Sequence, residues 1–237
     1  MAVPTLPADT ASRAPRAPRR PLRTASRILV GCVLGYAVLW ASGALGILVV
    51  SQWARSATRP PSGTEDVRGI HHFQPVDAHG RVWRGSAPTP EGYRQLARRH
   101  FTTVVDLRAE DLSARRRALP EQAGLRVVRL PIRDGQTPEP RQVERFLTVV
   151  RQAPGPVFVH CGAGVGRTGT MAAAYLVRTG QETGLAAARR NLAVGPPSIE
   201  QIYYALNLTP HHDAQPPLPV VALSRAVDAP RRVWSYF

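Results

Sequence analysis

The stretch "PVFVHCGAGVGRTGTMAAAYLV", Pro156 to Val177, changes character three times within 22 residues. An apolar run ends on His160 and Cys161, three glycines follow at alternate positions, and Arg167 opens a segment rich in alanine. Val157–His160 reads as a buried strand and Gly169–Val177 as a helix. The loop between them sits at the carboxyl end of the strand, where open α/β sheets place their ligands. Gly162, Gly164 and Gly166 let the backbone turn its N–H groups inward, and the next helix aims the positive end of its dipole at the same spot. Together they form a site for a phosphate-sized anion, and they favour the thiolate form of Cys161. Arg167 adds a planar fork able to hold two oxygens of one phosphoryl group.

Working outward, strand and helix patterns alternate. "RVWRGSAP" predicts a short strand leaving into a turn, and "TPEGYRQLARRH" a helix with Thr89 as its cap and Pro90 at the first helical position. "TTVVDLR" and "LRVVRLPI" predict two more strands. "SARRRALPEQAG" is a weak helix pattern that should break near Pro120. "EPRQVERFLTVVRQA" puts Val143, Phe146, Leu147 and Val150 on one helical face, and "TGLAAARRNL" and "SIEQIYYALNL" predict further helices. This alternation predicts an α/β fold with a mostly parallel central sheet covered by helices on both faces.

The amino-terminal quarter has a different character. Residues 1–27 mix prolines and arginines with few large apolar side chains, the signature of a disordered tail. Ile28 to Val50 then runs 23 residues without a charge. As a helix it would be about 35 Å long, enough to cross a ~30 Å hydrocarbon core. It is too long for the apolar part of a cleaved signal peptide and too uniformly apolar for a core helix, so a single-pass transmembrane helix in the lipid bilayer is expected. Six arginines in the fifteen residues before it, against Arg55, Arg59 and Arg68 after it, place the following domain outside the cytoplasm. Residues 51–70 read as a linker, 71–210 as the folded domain, and 211–237 as a Pro-rich carboxyl-terminal tail without pattern.

A formal charge of +15 comes entirely from arginine, with no lysine in the chain. The arginines are dispersed and lack interleaved exposed aromatics, so no nucleic acid partner is expected. Cys32 falls in the apolar span, which leaves Cys161 a free thiol rather than half of a disulfide. His71, His72, His79 and His100 have no metal-ligand spacing with carboxylates or cysteines, and neither a metal nor another cofactor is expected.

At this point "HCGAGVGRTG" resembles the His-Cys-x5-Arg-Ser/Thr-Gly loop of the cysteine-dependent protein tyrosine phosphatase superfamily, and the short domain resembles its compact dual-specificity members. The resemblance covers about Phe73 to Leu208. It implies that Cys161 forms a phosphocysteine and that Arg167, with the amides of Gly162, Ala163, Gly164, Val165, Gly166 and Arg167, holds the phosphoryl oxygens. Thr168 matches the hydroxyl that stabilises the departing thiolate, and His160 the residue that orders the loop. Asp134 in "LPIRDGQTP" matches the general acid, with Asp106 in "VVDLR" as competitor, while Glu110 and Asp111 read as solvated loop charges. The implied substrate is a phosphorylated protein, at tyrosine and then serine or threonine. The alternatives are a phosphoinositide or other phosphate monoester, a non-catalytic phosphate-binding module, and a rhodanese-like sulfurtransferase, which would leave Asp134 without a role.

Overall fold

In the computed structural model, which describes residues 20–234, the strand β5 (Val157–His160) lies inside a five-stranded sheet and is buried along its whole length. Its neighbours are β2 (Val82–Gly85) and β3 (Thr103–Arg108), with β4 (Arg126–Ile132) beyond β3, and all four strands run parallel. The two-residue β1 (Gln74–Pro75) closes the edge antiparallel to β2, a position that tolerates a proline without an N–H to donate. The order is β1-β2-β5-β3-β4, so the α/β class and mostly parallel sheet expected from the alternation are present.

The period of two along each strand divides the core into two layers. Val82, Val105, Val157 and Val159 pack with the helices α4 (Pro140–Gln152) and α5 (Gly166–Arg178). Phe73, Phe101 and Phe158 pack on the other face with Leu96 of α2 (Pro90–Arg98), where Thr89 caps the helix by accepting from the Gly92 N–H at 3.2 Å. Each such side chain contributes about 1.5–3 kcal/mol when fully buried. In α4, Val143, Phe146, Leu147 and Val150 are all buried, as their spacing predicts. Behind α5 lie α6 (Gly184–Val194) and α7 (Ile199–Leu206), and Ala172, Ala173 and Ala174 keep the buried α5 narrow enough for close packing.

Three expectations are corrected. The helix α3 (Ala114–Gln122) does not break at Pro120 but contains it. Pro120 sits late in a short helix, is its buried residue, and its carbonyl accepts the N–H of Ala123 and Leu125 to close the end. The carboxyl-terminal segment is not patternless, because α8 (Leu218–Trp234) forms there. Ser224, Val227 and Asp228, spaced three and four apart, are its buried stripe, and the Ser224 hydroxyl accepts the Glu200 N–H at the start of α7. Small and polar residues carry that contact, so a hydrophobic pattern did not announce it.

At the other end, the apolar run lies within one long helix, α1 (Arg20–Ala57). Residues 20–27 of the expected tail and 51–57 of the expected linker are therefore helical, and residues 1–19 lie outside the described residues. The most apolar 18 residues of Thr24–Ala57 have a mean hydropathy of 2.1, and the segment exposes Ile28, Leu29, Val33 and Leu34. By length and composition it can cross a membrane. Contacts divide the chain after Leu39; the unit from Trp40 onward carries the sheet and all that follows.

Candidate active site

Cys161 follows β5 directly and is 3% exposed, while Gly162 and Ala163 next to it are open to solvent. The loop needs its glycines for definite reasons. Gly164 adopts φ +78°, and any side chain there would overlap the backbone of Gly85 and Ser86. Gly169 lies against the Asn191 amide, so that α5 and α6 meet at the base of the loop. The turn after β2 is tied to the loop by the Ala87 N–H, which donates to the Gly162 carbonyl at 2.8 Å.

Arg84, inside the apolar strand β2, is the support that sequence reasoning missed. It is buried, and its Nη2 donates to the carbonyls of Gly164 at 2.8 Å and Val165 at 3.2 Å and to Asn191 Oδ1 at 3.1 Å. Burial pulls its pKa down to about 10, against the opposing charge of Cys161. The signal was an arginine at an inward position of a strand whose neighbours point to a packed sheet.

Arg167 lies in the first turn of α5 and is 4% exposed. Its Nη1 and Nη2 donate to the two carboxylate oxygens of Glu110, each at 2.8 Å, and Nη1 also donates to the Ile132 carbonyl at 3.1 Å. Glu110 is thus no solvated loop charge. Burial raises its pKa, but the hydrogen bonds and charge of Arg167 outweigh this and hold it below the usual range. Asp111 is exposed and pairs with Arg117, in keeping with a surface role. With one edge of the guanidinium taken by Glu110, the other carries the Nε–H, which has no partner, and the second hydrogen of Nη2, whose nitrogen has the Asp134 carboxylate as its neighbour. That edge matches two oxygens of a phosphoryl group.

Asp134 occupies a turn after β4, with Gly135 at φ +74°, and its carboxylate lies 3.4 Å from Arg167 Nη2. The turn is held from α7, by two residues the sequence reading passed over. The Ser198 hydroxyl donates to the Gly135 carbonyl at 2.7 Å, and the Gln201 amide donates to the Gln136 carbonyl at 3.0 Å. Ser198 and Gln201 also form a reciprocal capping box at the start of α7. Ser-x-x-Gln ahead of an apolar run is a legible signal for that box, although not for its second task.

The competitor, Asp106, is already engaged. Arg108 grips it with Nε at 2.9 Å and Nη2 at 2.8 Å, and although burial pushes its pKa up, these bonds hold it down. His160 is fully buried against Phe158 and Tyr93, and its Nδ1–H donates to the Cys161 carbonyl at 2.9 Å. Burial lowers its pKa to about 4 despite Asp106 at 4.0 Å, so the ring is neutral at physiological pH. The Thr168 hydroxyl is buried without a partner one residue beyond Arg167. The structure therefore gathers Cys161, Arg167, Thr168 and His160 on one strand, loop and helix, and brings Asp134 to them through Arg167.

Residues 52–205 match the family described as DSP-PTPase phosphatase fused to NAD+ kinase. The chain is 36% identical over 115 residues to the human dual specificity protein phosphatase CDC14C, covering 46% of this chain and 25% of that protein. It is 34% identical over 117 residues to the probable chloroplastic NAD kinase 2 of Oryza sativa subsp. japonica, covering 46% of this chain and 12% of that one. The chain thus spans a quarter or less of the length of these relatives. The core catalytic domain of the PP-IP phosphatase SIW14 from S. cerevisiae superposes with a TM-score of 0.50 at 16% identity, over 59% of this chain and 86% of that domain, a likeness of fold.

Proposed function

The chain belongs to the DSP-PTPase phosphatase family matched by residues 52–205, and on that premise we propose that it is a membrane-anchored protein phosphatase acting on phosphotyrosine through a phosphocysteine at Cys161. The observation that carries this reading is the Nε–Nη2 edge of Arg167, whose Nε–H has no partner and whose Nη2 lies 3.4 Å from the Asp134 carboxylate.

In the first step the Cys161 thiolate attacks phosphorus, the bond from phosphorus to the ester oxygen breaks, and Asp134 gives its proton to that oxygen. Arg167 and the loop amides hold the three equatorial oxygens as charge shifts among them. In the second step water attacks the phosphocysteine, Asp134 takes back the proton, and the sulfur leaves as thiolate, accepting a hydrogen bond from Thr168. Inorganic phosphate and the starting enzyme result. Phosphoserine and phosphothreonine are the secondary substrates, and α1 anchors the enzyme with its catalytic domain outside the cytoplasm.

The test is turnover by the full-length protein of a phosphotyrosyl peptide, an aryl phosphate, a phosphoinositide and thiosulfate with cyanide. The peptide and the aryl phosphate are expected to turn over, and Cys161→Ser should abolish both while still binding phosphate. Preference for the phosphoinositide would replace the protein substrate with a lipid one, sulfur transfer would make it a sulfurtransferase, and no turnover at all would leave a phosphate-binding module. Protease added to intact cells should remove a tag at the carboxyl terminus; protection until lysis would place the domain inside.

A further inference from the structure

A cavity of about 420 Å³ lies beside the phosphate loop, bounded by α5, α6 and the chain that follows α1. Its floor is apolar, made of Ala172, Ala173, Leu176 and Ala187. Arg84 lines it, as does Thr58. The Arg84 Nε and the Thr58 Oγ1 are both buried and have no hydrogen-bond partner.

The charge around the cavity points to the kind of acceptor. Arg55 and Arg59 stand at its mouth, exposed. Arg190 is partly neutralised by its ion pair with Glu182, and the acidic Glu65 is engaged by Arg99 at 3.2 Å, which leaves Asp66 as the remaining acid of the lining. His72, on the rim at φ +57°, reports the field there: burial lowers its pKa, and Arg84, His71 and Arg55 lower it further. An apolar floor under a cationic mouth suits an amphiphilic anion, with the head on the arginines and a short chain over the alanines.

We propose that this cavity is a second anion site, distinct from the Cys161 loop, which takes the phosphate or phosphonate head of an amphiphile. Arg84 borders both sites, because it lines the cavity while its Nη2 holds the Gly164 and Val165 carbonyls. Thr58 follows the apolar run within a few residues, so the head of a bilayer lipid and a soluble phosphonate are both sources of the same chemistry.

The experiment follows His72 by NMR in full-length protein labelled with 13Cε1-histidine, assigned with His72→Gln, in phosphatidylcholine nanodiscs. Added butylphosphonate should raise the His72 pKa by about half a unit or more, since a bound anion favours the imidazolium. In Arg55→Gln/Arg59→Gln the midpoint should move to at least about tenfold higher concentration, equal to ~1.4 kcal/mol. Competitive inhibition by the same phosphonate at the Cys161 loop should be unchanged, so failure there is separable from failure here. Nanodiscs with one part in three of phosphatidylglycerol, without phosphonate, distinguish the source: a raised His72 pKa assigns the site to lipid, and a shift only with phosphonate assigns it to a soluble anion. An unmoved His72 in both arms, or an unchanged midpoint in the arginine variants, overturns the proposal.

Discussion

Glu110 and Arg167, 57 positions apart in the chain, meet through two parallel hydrogen bonds of 2.8 Å. The pair fixes the plane of the guanidinium and decides which edge it presents. A single amide in place of the carboxylate offers one acceptor and one donor, so the donor would oppose Nη1 or Nη2. Glu110→Gln should therefore lower kcat/KM for a phosphotyrosyl peptide about tenfold or more, from the loss of ~1.5–3 kcal/mol of charge-assisted bonding. Rates equal to wild type would show that the loop alone orients Arg167.

Arg167→Lys tests the other end of the pair. The ammonium keeps the charge but can neither accept the two-point grip of Glu110 nor offer a second edge to the phosphoryl group. We expect a loss of ~2–4 kcal/mol in transition-state stabilisation, read as kcat/KM on an aryl phosphate. A near-normal rate would remove the bidentate clamp from the mechanism.

What the sequence made legible was local. Val157–His160, the alternating glycines and the β/α alternation could be read because each is a run of neighbours obeying a period or a steric need. Asp134 was reached through the family resemblance, which calls for an aspartate on a loop upstream of the cysteine, and the short loop between two clear elements supplied one. Glu110, Arg84, Ser198 and Gln201 were not legible, since their partners lie 57, 80, 63 and 65 positions away and no periodicity links them. The helix α8 was hidden for a related reason: its buried stripe includes Ser224 and Asp228, whose partners are polar. Pro120 misled in the opposite sense: it costs the helix one N–H bond, to the Arg116 carbonyl, yet the helix runs on two residues and closes on the Pro120 carbonyl, which accepts from Ala123 and Leu125.

His160 should make stability depend on pH in a definite direction. Its pKa falls from 6.5 in the unfolded chain to about 4 in the fold, because burial disfavours the cation. Between those values the unfolded state binds the extra proton, so the contribution is present above pH 6.5 and lost as pH falls towards 4. The full span is on the order of 3 kcal/mol. Asp106, Arg108 and Arg167 face the ring and are common to both proteins in a comparison with His160→Gln. Chemical denaturation from pH 7 to pH 4 should show a steeper loss in the wild type than in the variant. Parallel curves would mean that the buried ring titrates as it does in water.

The turn that carries Asp134 supplies the sharpest separation of chemistry from binding. A phosphoserine or alkyl leaving group departs as an alkoxide and needs a proton, whereas an acidic nitrophenolate leaves unaided. Asp134→Asn should thus cut kcat strongly for the former and little for the latter. Ser198→Ala removes the hydroxyl that holds the Gly135 carbonyl at 2.7 Å, without touching any reacting group. It should reproduce the same bias in weaker form, since a looser turn keeps the acid but misplaces it. The pH profile distinguishes the two variants. Activity that requires Cys161 ionised and Asp134 protonated has two limbs; Asp134→Asn should lose the basic limb, while Ser198→Ala should keep both at reduced height. An equal loss on every substrate in Asp134→Asn, with both limbs intact, would assign the proton to another group, and Asp106→Asn would be the next variant to measure.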